Sequence, residues 1–168
     1  MKTYIRMVLG LLVVAVAPTQ LPGQQRTGTI CGNPATECSS SYSFSSYQLA
    51  FQIREKLVFG KTYKSLPVYA VILKSVKTSG AEDCVHVSEE ERLEVQALIT
   101  DRKVFASRVS CPEELILYSN VSQDVNFLAV YAGANFAEAK TTLKLVKATG
   151  RYRQAYIRRM QVVLEFST

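Results

Sequence analysis

The sequence predicts an α+β fold, because two helical patterns alternate with four strand-like runs along a chain of 168 residues. Hydrophobic residues make up 48% of the chain and charged residues 20%. That balance is typical of a chain that folds around one core and not of a disordered polymer. We therefore expect one globular domain at residues 65–168, preceded by a leader and an N-terminal extension.

The first 23 residues have the pattern of a secretory signal peptide. Lys2 and Arg6 precede an apolar run at residues 7–17, and Pro18, Pro22 and Gly23 follow it. Basic residues before a short apolar run are typical of a signal peptide, whereas a membrane-spanning helix needs about 20 apolar residues. We predict export to the periplasm, the cell envelope or the extracellular space, without a stable membrane span after cleavage.

Residues 24–64 form the predicted extension. They begin with a stretch rich in Ser, Thr, Gly and Gln that contains the loop CGNPATEC. An exported chain with an even number of cysteines favours disulfides, and we expect Cys31 to pair with Cys38. The four cysteines contain no CxxC pair and the chain has one histidine, His86, so no metal site is predicted.

The predicted domain opens with a strand and a helix. Residues 68–76 (VYAVILKSV) are β-branched and aromatic and begin directly after Pro67. The segment SEEERLEVQALI predicts a helix at residues 88–99. Ser88 and Glu91 have the spacing of a capping box, and acidic residues fill the first turn, where they favour the positive end of the helix dipole.

Three further strands are predicted. Residues 103–109 (KVFASRV) alternate well enough for a second strand, and a strand-like piece, LILYS, comes after them. The third strand is predicted at residues 126–132. The fourth is MQVVLEF, residues 160–166.

A second helix follows the third strand. Asn135 and Glu138 repeat the capping pattern, and Gly150 is a suitable left-handed stop. The apolar positions that share one helical face are Phe136, Ala139, Leu143 and Val146. Gly133, between the strand and the helix, stands alone and belongs to neither a GxGxxG nor a GK[ST] motif. We expect it to turn the chain and not to hold a phosphate.

The order of these elements is strand, helix, strand, strand, helix, strand. Right-handed crossovers convert it into a ferredoxin-like split βαββαβ fold, a four-stranded antiparallel sheet with both helices on one face. The other face of the sheet is then open. The same topology brings the segment after the first strand near the end of the second, so we expect Cys84 to pair with Cys111 and to stabilise the fold by ~3 kcal/mol. Four cysteines allow three pairings.

Two segments resemble the half-repeats of the SPOR domain, the sporulation-related module that binds peptidoglycan. They are VILKSV, residues 71–76, and AVYAGANFAEAKTTLKLVKATG, residues 129–150. The resemblance implies a non-enzymatic binding module, without a cofactor, that recognises the glycan strands of peptidoglycan on the exposed sheet face. Val71, Leu73, Val130 and Ala132 would then face the helices.

The residues on the opposite face are the expected ligand-binding set. An aromatic ring covers the flat face of a sugar, and basic side chains donate to hydroxyl or carboxyl oxygens. Phe105 and Tyr131 are the candidates for stacking. The complete set is Ile72, Lys74, Phe105, Tyr131, Arg158 and Arg159.

Other functions have less support in the sequence. The segment RYRQAYIRRM interleaves arginine with tyrosine, as nucleic-acid surfaces do, but the aromatic-rich signature of RNA-binding modules is absent and no nucleic acid partner is expected. No GxSxG motif occurs, so no catalytic residue is predicted. The alternative function is a secreted protein-interaction or inhibitor-like module whose sheet face is buried against another envelope protein or against its own extension.

Overall fold

The computed structural model describes residues 27–78, 87–108, 111 and 114–166. Within these residues the fold is α+β, with two helices and two four-stranded sheets. The predicted signal peptide and Cys84 lie outside them, so the expected pairing of Cys84 with Cys111 does too. The elements in chain order are β1 (Thr27–Gly28), β2 (Lys61–Ser65), β3 (Val68–Lys77), α1 (Glu89–Leu98), β4 (Val104–Ala106), β5 (Ile116–Tyr118), β6 (Val125–Tyr131), α2 (Phe136–Ala148), β7 (Tyr156–Met160) and β8 (Val162–Phe166).

Both predicted helices are confirmed, together with their caps. The Ser88 hydroxyl accepts a hydrogen bond from the Glu91 amide at 3.1 Å, and the Asn135 side chain accepts from the Glu138 amide at 3.0 Å. These bonds satisfy amides that a helix leaves without an internal partner in its first turn. Gly150 has a φ of 73°, the left-handed conformation that ends α2.

Gly133 turns the chain between β6 and α2. Its φ of 100° is open to glycine and strained for other residues, and its carbonyl accepts from the Tyr69 amide at 2.9 Å. A Cβ at this position would lie 1.9 Å from a carboxylate oxygen of Glu138. The glycine therefore serves a tight turn that also leaves room for the capping glutamate.

The first of the two sheets has the order β4-β6-β3-β7, and all its neighbouring strands are antiparallel. Both helices pack on one face of it, so we call it the helix-covered sheet. Their common core includes Val71, Val95, Val130 and Val146. Val71, Leu73, Val130 and Ala132 all belong to this core, as the alternation along the strands predicted.

The second sheet has the order β1-β2-β8-β5, and it corrects the expectation of a single sheet. The predicted fourth strand at residues 160–166 is divided between the two sheets. β7 ends at Met160 in the helix-covered sheet, and β8 begins at Val162 in the second. Met160, Val162 and Leu164 all face one core between the sheets, so the alternation continues while the chain passes from one sheet to the other at Gln161.

The core between the sheets also contains a segment of the N-terminal extension. Leu49, Phe51 and Ile53 are buried there beside residues of β3 and β6. We call residues 41–53 the arm. The resulting order of layers is helices, helix-covered sheet, then second sheet and arm.

Candidate functional site

The sheet face that was expected to bind a glycan is covered in this structure. Ile72 is 1% exposed and Phe105 is 0% exposed, and both belong to the core between the sheets. The expectation of an open face is therefore wrong for these two positions. The physical reason is that Leu49, Phe51 and Ile53 alternate along the arm and bury their side chains against this face.

Phe105 belongs to an aromatic cluster in this core. Its ring centroid lies 5.5 Å from that of Tyr118 and 5.9 Å from that of Phe127. Such separations are typical of packed aromatic pairs. The Phe105 ring is enclosed by residues of its own chain, so neither of its faces is accessible to a sugar.

Tyr131 lies on the same face and is half-buried under the disulfide loop. The predicted bond between Cys31 and Cys38 is present, with a Cα–Cα distance of 5.6 Å. Gly32, inside this loop, packs directly against the Tyr131 ring, and a Cβ at this position would lie 2.1 Å from that ring. Burial raises the pKa of the Tyr131 hydroxyl, and the ring is only partly accessible.

Lys74 points to the other side of the sheet from the one expected. The pairing of β3 with β6 shifts between Ile72 and Lys74, a β-bulge, and Lys74 then pairs with Leu128, which faces the helices. Its ammonium donates to a Glu91 carboxylate oxygen on α1 at 2.9 Å. An inserted residue reverses the alternation, which is why the pattern predicted the wrong face.

A polar network that the sequence did not indicate fixes the middle of the arm, at Tyr47 and Gln48. The Glu114 carboxylate accepts from the Tyr47 hydroxyl at 2.8 Å, from the Gln48 side-chain amide at 2.7 Å and from the Ile116 amide at 2.9 Å. Burial and then the bond to Glu114 raise the pKa of Tyr47 to about 12. The Arg108 guanidinium lies 3.7 Å from the centroid of the Tyr47 ring.

The arm is also bonded to the first helix and to the strand beside it. The Ser46 hydroxyl donates to Glu89 on α1 at 2.9 Å, and the Lys103 ammonium donates to the Ser46 carbonyl at 2.7 Å. The Ala106 amide of β4 donates to the Tyr47 carbonyl at 2.8 Å. These bonds connect residues far apart in sequence, so the arm is fixed by tertiary contacts.

The two arginines of the predicted set lie on β7, at the edge of the helix-covered sheet. Arg159 is exposed, and its carbonyl accepts from the Asn120 side chain at 3.3 Å. Arg158 is half-buried and donates through Nη1 to the Asn120 carbonyl. Its guanidinium carbon lies 5.6 Å from the centroid of the Tyr156 ring, close enough for a cation–π contact.

A cavity of about 210 Å³ opens beside this pair, and we call it the edge pocket. It brings together two members of the predicted set, Ile72 and Arg158. Tyr156 is 43% exposed at its mouth. This residue is one of the two tyrosines interleaved with arginine in RYRQAYIRRM, but it was not part of the predicted ligand-binding set. The residues that line the pocket are Ile72, Ser75, Val121, Ser122, Val125, Phe127, Tyr156 and Arg158.

The charge near the edge pocket is positive. Arg151 forms an ion pair with Glu94 at 2.9 Å. Within the described parts of the chain, no ion pair joins Arg153, Arg158 or Arg159 to a carboxylate. The Arg158 and Arg159 guanidinium groups, both on the edge strand β7, attract an anion and supply directional N–H donors.

The described residues offer neither a metal-binding cluster nor a membrane-spanning helix. They contain no group of three His, Cys, Asp or Glu side chains that could hold a metal ion. None of the helices in these ranges has the length and apolar character that crossing a membrane requires. No protein-family model, curated protein or solved structure matches the chain.

Proposed function

We propose that the chain is an exported, non-enzymatic binding module that holds a glycan strand at the edge pocket and along β7. The observation that carries this proposal is the exposed Tyr156 ring beside the Arg158 guanidinium at the mouth of a cavity. An exposed ring can stack on a pyranose, and a guanidinium can donate to its hydroxyl and carboxyl oxygens. The Cys31–Cys38 disulfide supports export to an oxidising compartment.

The fold supports the same class of function. The order β4-β6-β3-β7, with a helix in each of the two crossovers, favours a ferredoxin-like arrangement for the helix-covered sheet. Together with the sequence resemblance to SPOR domains, it makes peptidoglycan glycan the first polymer to test. The binding surface we propose is the edge of this sheet, because the second sheet and the arm cover its face.

A second candidate is a secreted protein-interaction module. This alternative was predicted to have its sheet face buried against a partner or against its own extension. The arm does cover that face, which favours it. Both helices also carry exposed leucines, Leu93 and Leu98 on α1 and Leu145 on α2. These side chains supply apolar contact area to a protein partner and little to a polysaccharide.

Co-sedimentation of the mature chain with purified sacculi tests the proposal, before and after an amidase removes the stem peptides. We expect retention, and we expect Tyr156→Ala and Arg158→Met each to weaken it by roughly tenfold, since cation–π and stacking contacts contribute ~1–2 kcal/mol. Lys74→Met is the matched control, because Lys74 pairs with Glu91 on the helix side of the sheet. Retention that both edge variants leave unchanged would overturn the proposed surface, and absence of retention would favour the second candidate.

A further inference from the structure

We propose that the edge pocket selects a carboxylate carried on a short apolar branch of the bound glycan; this inference rests on the function proposed above. The size of the cavity is the first argument. Pockets that hold a whole small molecule have volumes of roughly 300–1,000 Å³, and this one has about 210 Å³. Its size suits one group that projects from a larger ligand.

The floor of the pocket is apolar. Ile72 and Phe127 are each 1% exposed and form its base, and Val121 and Val125 line its sides. Burial against such a surface stabilises a methyl or methylene group. A hydroxyl group would lose its water there without a partner on the floor. The floor therefore favours an alkyl branch over a bare sugar hydroxyl.

The mouth of the pocket carries one positive charge. Among the described residues that line it, Arg158 alone is charged. Its Nη1 donates to the Asn120 carbonyl, which fixes one end of the planar group and leaves N–H donors for a ligand. The Tyr156 ring adds a second contact to the same guanidinium. A fixed guanidinium beside an apolar wall matches a carboxylate, which accepts two parallel hydrogen bonds from it.

The charges favour a monoanion over a phosphate. A phosphate carries more charge and more strongly hydrated oxygens, whereas this pocket offers one cation and an apolar floor. Asp124 follows in the same loop, where its carboxylate accepts from the Ser122 hydroxyl, and this negative charge repels a dianion more strongly than a monoanion. A neutral amide could accept from Arg158 but would gain no charge interaction.

Two small probes of nearly the same shape test this selectivity, butanoate and butanamide. Each is titrated into the ¹⁵N-labelled mature chain while the amide resonances of residues 121–125 are followed. We expect butanoate to shift and saturate these resonances in the millimolar range and butanamide to bind at least about tenfold more weakly, the ratio for a charge-assisted bond of ~1.4 kcal/mol.

Two variants and one control connect the effect to the pocket. Arg158→Met should reduce the binding of butanoate to that of butanamide, and Ser122→Phe should fill the cavity and remove both. Arg153→Met, which changes an arginine outside the lining, should leave the preference intact. Equal binding of the two probes, or a preference that survives Arg158→Met, would overturn the inference.

The outcome is distinguishable from that of the sacculus experiment. If sacculi retain the chain and butanoate has no advantage, the glycan-binding function stands and the carboxylate selectivity is wrong. If butanoate is preferred and sacculi do not retain the chain, the pocket selectivity stands and the assignment of the polymer is wrong.

Discussion

Phe51→Ala tests whether the arm is an integral part of the fold. Phe51 is 1% exposed and lies in the core between the sheets, where its ring centroid is 5.4 Å from that of Phe44. Truncation of a buried phenylalanine to alanine typically costs 3–5 kcal/mol, from the lost burial and the cavity that remains. We expect the free energy of unfolding to fall by about 4 kcal/mol and the midpoint temperature to fall by roughly 6–20 °C.

Urea denaturation of the mature chain, followed by circular dichroism, measures this change. The control is Phe59→Ala, the same substitution at a side chain that is 62% exposed, for which we expect a change within about 0.5 kcal/mol. A loss below about 1 kcal/mol for Phe51→Ala would refute the reasoning, because a core position cannot lose a whole ring at so small a cost.

Four further predictions concern other parts of the fold. Tyr152→Phe should leave stability unchanged or raise it by up to about 1 kcal/mol in urea denaturation, because the Tyr152 hydroxyl is buried and has no hydrogen-bond partner among the residues that the structure describes. Gly133→Ala should destabilise the chain by more than 1 kcal/mol in the same assay, since it adds a Cβ where φ is 100°. Replacing both Cys31 and Cys38 by serine should lower the free energy of unfolding by ~2.5 kcal/mol, the loop-closure term for a short disulfide loop. Tyr47 has a folded pKa of about 12 against an ordinary 10.0, so its stabilising effect is present below pH 10 and is lost as the pH rises through 12; Tyr47→Phe should flatten the alkaline fall in melting temperature.

The elements that were predicted correctly are those with strong local patterns. Ser88 with Glu91, and Asn135 with Glu138, place the two helix starts through contacts three residues apart, so the sequence alone contains the information. β3 is ten residues long and rich in β-branched residues, so its strand propensity can also be recognised from neighbouring residues alone. Local propensity and tertiary structure agree at these positions.

The second sheet was missed although the segments containing β5 and β8 were recognised as strand-like, because such short strands do not indicate which sheet they join. β5 has three residues, and β2 and β8 have five each. The change of sheet at Gln161 leaves the alternation of Met160, Val162 and Leu164 intact, because these side chains face one core from both sheets. An alternating pattern reports which side of a strand is buried and not which sheet the strand belongs to.

The binding surface was predicted on a face that the chain covers with its own arm. The alternation of Leu49, Phe51 and Ile53 shows that one side of this segment is buried but not what it packs against. The β-bulge before Lys74 places the Lys74 side chain on the opposite face of the sheet from the one predicted. The arginine-rich segment around Arg158 was recognised from composition, but its juxtaposition with Ile72 depends on strand pairing between β3 and β7.

The pairing of β2 with β8 has a consequence for the time at which the chain can fold. β8 ends at Phe166, and it is the strand through which β2 joins the rest of its sheet. The sheet can therefore close only after all the residues from β2 to β8 have been synthesised. Contacts between such distant residues slow folding, so we expect the second sheet to form after the two helices, whose hydrogen bonds are local.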